Sequence, residues 1–212
     1  MTTNKTIYLI RHGQTDFNLR RIVQGSGIDS DLNETGRKQA QQFFEAYGHI
    51  PFDHIYTSEL KRTHQSVEAF INTGMSWSIL SELNEINWGI YEGLETTPAS
   101  KQAFNNIVES WSAGELEKPI SGGESPIEMY NRQVLGWDKI CQSSHERILI
   151  CMHGRAMRSF LSLILQTNLS DMDQYPHTNL CLYQIEEIEN SAYEIRLKND
   201  VRHLQVGQTT QS

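Results

Sequence analysis

The chain has 212 residues, 38% hydrophobic and 21% charged, with 14 Gly and 5 Pro. That length and balance suit one folded domain and argue against a disordered or collagen-like chain. Eighteen Lys and Arg against 26 Asp and Glu leave a formal charge of −8, which argues against a general nucleic-acid-binding surface and means that any anion site must gather its cations locally.

Met1 to Thr6 carry no apolar core of signal-peptide length. Ile7-Tyr8-Leu9-Ile10 is predicted as a buried strand, too short for a helix. A helix opens at Thr35-Gly36 and runs to about Tyr47, with Ala40, Phe43, Phe44 and Tyr47 on one face. Gly48 stops it and Pro51 follows. His54-Ile55-Tyr56 is a second short strand, leading into a helix from about Lys61 to Ile71. Trp77 to Leu80 is a third strand. Residues 94–124 are the least regular part, a lid or insertion punctuated by Pro98, Gly114, Pro119 and Gly122-Gly123, with one helix near 99–111.

Ser125-Pro126 then starts a long helix to about Gln142: Ser125 caps it, Pro126 fits its first position, and Glu128 stands where a capping-box acid belongs. Arg147 to Met152 is the clearest buried strand, followed by a helix over 156–166. Phe160 to Leu165, the longest greasy stretch in this half, is too short to span a bilayer. Leu180 to Ile188 and Tyr193 to Leu197 form a closing pair of strands around a turn near Glu189-Asn190. Residues 208–212 read as a frayed tail behind one domain over 1–207. Cys141, Cys151 and Cys181 cannot all pair and form no CxxC, so they read as buried thiols of a cytoplasmic protein.

Alternating strands and helices predict an α/β fold of three layers, a mostly parallel sheet with helices on both faces. Ligands of such sheets bind at the carboxyl ends of the strands. After the first strand comes Arg11-His12-Gly13-Gln14-Thr15-Asp16-Phe17-Asn18, after the second Thr57-Ser58-Glu59-Leu60-Lys61-Arg62, and after the clearest strand His153-Gly154-Arg155. These ends supply the local positive patch, with glycines that let backbone approach a ligand.

Arg-His-Gly alone says little. Here it stands in an ordered set: Arg11-His12-Gly13 with Thr15 and Asn18, Gln24-Gly25, Leu32-Asn33-Glu34-Thr35-Gly36 before Gln39-Ala40, and Tyr56-Thr57-Ser58 with Leu60 and Arg62. Leu83-Asn84-Glu85 with Gly89, Gly123-Glu124-Ser125 and His153-Gly154 complete it. The set resembles the histidine phosphatase superfamily, in its phosphoglycerate mutase-like branch, over about residues 6–185. The resemblance implies that family's phosphoglycerate mutase-like fold and a phosphohistidine intermediate on His12.

A histidine is a nucleophile only with one ring nitrogen unprotonated, so the other N–H needs an acceptor. Arg11 and Arg62 offer forked donors that match phosphate oxygens. His153, if protonated, adds charge, and it precedes a helix whose amides favour an anion. Glu85 falls at the family's acid position; Glu82, Glu92 and Glu124 are its rivals. It would protonate the leaving alkoxide and then deprotonate the attacking water, which near neutral pH calls for the desolvation that Ile86 and Trp88 are placed to supply. Asn18, Gln24, Gly25 and Gly154 resemble family positions that bind the phosphate or the rest of the substrate. Arg155 departs from the commoner small residue or Asn, and reaches either toward substrate or to an acid. Arg158 reads as structural, and His177 as surface or structural.

No cofactor is expected, and no metal, because no His-x-His or His-Glu-x-x-His spacing occurs. The expected partner is a small phosphorylated metabolite rather than nucleic acid or membrane, with a homodimer left open. A mutase must hold a second anionic group, and family mutases do so with an insertion rich in Lys and Arg. Residues 94–120 instead hold Lys101, Lys118, no Arg, and Glu95, Glu109, Glu115 and Glu117. The expectation is therefore a hydrolase, with Phe104, Ile107 and Trp111 packing over substrate or core; a phosphoglycerate-type mutase and a non-catalytic binder of phosphorylated ligands are the alternatives.

Overall fold

The computed structural model describes residues 4–95, 97–189 and 192–205. Asn190, in the expected closing turn, and the expected tail, Gln208 to Ser212, lie outside them.

The strands are β1 (Thr6–Arg11), β2 (His54–Thr57), β3 (Trp77–Ile79), β4 (Arg147–Met152), β5 (Leu182–Glu187) and β6 (Tyr193–Asp200). They form one sheet in the order β3-β2-β4-β1-β5-β6. The first four are mutually parallel, β5 runs antiparallel to β1, and β6 pairs antiparallel with β5. The expected α/β architecture with a mostly parallel sheet is what forms.

The helices are α1 (Asp16–Arg20), α2 (Glu34–Tyr47), α3 (Lys61–Asn72), α4 (Pro98–Ser112), α5 (Pro126–Gln142) and α6 (Gly154–Ile164). Alternate residues of β1 serve opposite faces, as the twofold period of a strand requires. Tyr8 and Ile10 join Phe43 of α2 and Val67 and Phe70 of α3. Ile7 and Leu9 join Trp111 of α4, Met129, Trp137 and Ile140 of α5 and Phe160 of α6. Helices thus cover both faces. Ile150 of β4 is fully buried, and cutting such a side chain to Ala costs about 2–5 kcal/mol.

The caps follow the sequence. Ser125 accepts from the Glu128 N–H while Glu128 returns to the Ser125 N–H, the expected box at the start of α5. The five-residue α1, absent from the sequence reading, is closed by a similar box between Thr15 and Asn18. β3 forms where expected and, as an edge strand, leaves Trp77 37% and Ile79 47% exposed. Of the thiols, Cys151 and Cys181 are buried as expected, whereas Cys141 near the end of α5 is exposed; all three are free. Among the described residues no helix is long and apolar enough to cross a membrane.

Candidate active site

Neighbouring β1 and β4 bring two histidines together. His12 follows β1, its N–H held by the Met152 carbonyl at the end of β4, and His153 follows β4. Their ring centroids are 5.2 Å apart. The backbone around His12 is pinned from two sides: Gly13 N–H donates to Ser66 Oγ of α3 at 2.9 Å, and Asn179 Nδ2 donates to the His12 carbonyl at 3.0 Å. His12 is 2% exposed, and its Nδ1 lies 2.7 Å from the Gly13 carbonyl oxygen. A carbonyl only accepts, so Nδ1 carries the proton and Nε2 is the free base. Burial, then Arg62 and Arg11, hold the ring pKa well below its usual value. The ring is neutral, as a nitrogen nucleophile must be.

His153 is arranged differently. Its Nδ1 accepts from Arg62 Nε at 3.2 Å, and its Nε2 donates to Ser58 Oγ at 2.7 Å. Both ring nitrogens are used and burial depresses its pKa strongly, so His153 carries no charge of its own. The conditional expectation of a protonated ring here is not met, because Arg62 already occupies the acceptor nitrogen. Arg62 is wholly buried below the cavity. It donates through Nη1 to the Ile28 carbonyl at 2.6 Å and through Nη2 to the Gly25 carbonyl at 3.2 Å. Burial lowers its pKa to about 10, which leaves it charged at neutral pH.

Glu85 stands across the cavity. Oε2 accepts from the Arg155 N–H at 3.0 Å, and Oε1 from the Ala156 N–H at 2.8 Å and its neighbour Ile86 at 2.9 Å. Two first-turn amides of α6, those of Arg155 and Ala156, are therefore taken by this carboxylate, which leaves the Gly154 N–H without a partner among the described residues. Ile86 and Trp88 are buried, and Trp88 lines the same cavity as Glu85. The rival acids are spoken for: Glu82 pairs with Lys139, Glu124 with Arg132, and Glu92 accepts from the Trp88 N–H.

A cavity of 200 Å³ is lined by Arg11, His12, Asn18, Gln24, Glu85 and Gly154 among others. Arg11 Nε is buried with no partner among the described residues, a donor that an anion would satisfy. Asn18 Oδ1 is used by Thr15 and Asn179, while its Nδ2 donates to no described residue. Gln24 spans Thr15 and Ser30. Gly25 lies off the cavity; a Cβ there would meet Glu92 Oε1 at 2.0 Å, and its carbonyl serves Arg62.

Three wall residues escaped the sequence reading or were left undecided. Arg155 does both things considered for it: it lines the cavity and pairs with Asp173 at 2.7 Å. Arg158 also lines the cavity and pairs with the same Asp173. His177, read as surface or structural, is half-buried and lines the cavity. Its Nδ1 accepts from Arg11 Nη1 at 3.3 Å, and burial, with Arg11 next, pushes its pKa down to about 2. Gly154 makes room for it, since a Cβ would meet His177 Cε1 at 2.8 Å.

Comparison with known proteins fits this geometry. The family model described as the histidine phosphatase superfamily (branch 1) matches residues 7–201. The chain belongs to that family. This member of the superfamily is 31% identical to the probable phosphoglycerate mutase GpmB of Proteus mirabilis, over 75% of this chain and 74% of that protein. It is 29% identical to the uncharacterized phosphatase PhoE of Bacillus subtilis, over 93% of this chain and 96% of the relative. Among solved structures, mycobacterial hydrolase 1 shares its fold with a TM-score of 0.82 at 22% identity, over 93% of this chain and 99% of the other. Family membership supports a phosphatase-type enzyme.

Proposed function

We propose that the protein is a metal-independent phosphatase that hydrolyses a small phosphomonoester through a phosphohistidine on His12. The observation that carries this reading is the buried His12 ring, with Nδ1–H tied to Gly13 and Nε2 free, in one cavity with Glu85. Nε2 attacks phosphorus while the ester P–O bond breaks, and the departing alkoxide takes the proton of Glu85. The Glu85 carboxylate then takes a proton from water, whose oxygen attacks the phosphohistidine, breaks the P–N bond and releases phosphate. Arg11 meets the non-bridging oxygens directly; Arg62 adds its charge from below and holds His153. A unit charge at 4 Å contributes about 4 kcal/mol at an effective dielectric near 20, so arginines suffice to bind the dianion.

A mutase reading draws on the name of the Proteus relative. The segment 94–120 speaks against it, for Lys118 is occupied by Glu115 and the segment holds four glutamates against two lysines. The test is a panel of phosphomonoesters in chelator, scored for free phosphate and for isomerised product. Phosphate release that is lost in His12→Ala supports the hydrolase; isomerised product without phosphate supports the mutase; silence across the panel supports a binding protein.

A further inference from the structure

The catalytic cavity continues beyond its own wall. Val23 and Phe104 also line an adjoining groove of 900 Å³, against 200 Å³ for the cavity. The half-buried apolar side chains of the groove are Val23, Tyr91 and Phe104, and beside them Leu94 stands 57% exposed. A row of rings joins the two spaces. Trp111 stacks on Trp88 at 5.8 Å, Trp88 meets Phe104 at 4.9 Å, and Phe104 meets Tyr91 edge-on at 5.8 Å. The charged members of the groove, Arg20, Arg21, Glu95 and Lys101, are exposed at its rim, with Arg20 against Glu95 at 3.0 Å.

Charge sets a second condition. Four arginines (Arg11, Arg62, Arg155, Arg158) and two acids (Glu85, Asp173) surround the cavity, and Asp173 binds two of those arginines at once. Asp173 thus matches Arg155 and Arg158, while Arg62 is committed to two carbonyls and His153, which leaves Arg11 Nε as the buried arginine donor without a partner among the described residues, and a single phosphate takes it. A second carboxylate or phosphate in the cavity would find no such buried donor and would lie beside Asp173, which already holds Arg155 and Arg158, so its desolvation would go largely uncompensated.

We propose that the substrate is a phosphomonoester without a second anionic group near the phosphate, whose extended, ring-bearing alcohol leaves the cavity between Val23 and Phe104 and lies along the groove. This rests on the hydrolase reading above. The groove supplies stacking edges and apolar area to an aromatic or alicyclic body, with its charged members exposed at the rim.

The test compares kcat/KM for 3-phenylpropyl phosphate, n-propyl phosphate and 3-phosphoglycerate in chelator. All three are esters of primary alcohols, so their intrinsic reactivities are similar and differences report binding in the transition state. The phenylpropyl ester is expected to exceed the propyl ester by at least about tenfold, the scale of one well-buried ring, with 3-phosphoglycerate at or below the propyl ester. Leu94→Asp, on an exposed position that leaves the core intact, lowers the phenylpropyl-to-propyl ratio several-fold, and so does Tyr91→Ala. Equal rates for the two alkyl esters, a ratio untouched by both variants, or 3-phosphoglycerate as the best of the three overturns this inference while the hydrolase reading stands. No phosphate from any of the three overturns both.

Discussion

The carboxyl ends of β1 and β4 and the segment 94–124 wall one cavity by opposite means. At the strand ends polar side chains are buried and matched one by one: His12 to Gly13, His153 to Ser58 and Arg62, Glu85 to the amides of α6. In the segment 94–124 every charge but Glu124, which pairs with Arg132, stays outside, and what turns inward is apolar. Phe104 faces the cavity, and Trp111 is buried against Trp88 with its Nε1 donating to the Lys118 carbonyl. A buried polar network is costly to disturb because every lost partner leaves a desolvated group, whereas apolar contacts adapt to other shapes. The chemistry sits on the first kind of wall and the choice of alcohol on the second.

The comparison breaks most visibly at the nucleophile. His12→Ala is expected to lower phosphate release by about 10⁴-fold or more; a stopped assay with inorganic phosphate checks it. Glu85→Gln follows, with a loss of about 10²–10⁴-fold on alkyl esters. With 4-nitrophenyl phosphate, whose leaving group needs no proton, the same variant gives a burst of nitrophenolate equal to the enzyme and then a slow steady state. A variant with no burst and equal losses on both substrates contradicts the two roles given to Glu85.

Arg62→Ala tests the buried network as well as the reaction. It strips two carbonyls and the His153 ring of their donor and is expected to cost on the order of 3 kcal/mol of stability, read from urea unfolding. Lys does not rescue it, because one ammonium cannot span the three fork positions. pH acts on the same network. His12 and His153 have folded pKa values well below 6.5, so below about pH 6.5 the unfolded chain binds protons that the folded chain refuses. Their contribution is intact above that pH and lost as pH falls, by about 1.4 kcal/mol per unit for each ring. Urea midpoints at about pH 7.5 and about pH 5.5 check the sign. At the other extreme, Lys118→Ala in the segment 94–124 removes only an exposed pair with Glu115 and is expected to change stability by less than about 0.5 kcal/mol.

How much of this was legible in the sequence follows the same division. Strands and helices were readable where one period dominates, as in Arg147 to Met152 and the Ser125-Pro126 start of α5, because local chemistry alone specifies them. The residues at the strand ends were readable because they stand in contiguous motifs. Asp173 and His177 were not: they come from the stretch between α6 and β5 and acquire meaning only against Arg155, Arg158 and Arg11. Arg62 reads as a phosphate ligand because its chemistry fits one; the fold adds that three of its five N–H groups are committed to His153, Ile28 and Gly25. The amide cradle of Glu85 was hidden for a simpler reason, since backbone donors carry no side-chain signature.

The central claim is a phosphoryl group held on one ring nitrogen. The direct measurement is a rapid quench into base, where phosphohistidine survives, during turnover of a labelled phosphomonoester, followed by peptide mapping. The account predicts label on the peptide containing His12, attached at Nε2 because Nδ1–H is held by the Gly13 carbonyl, and none in His12→Ala. Turnover without any phosphohistidine, or label on another residue, would contradict it.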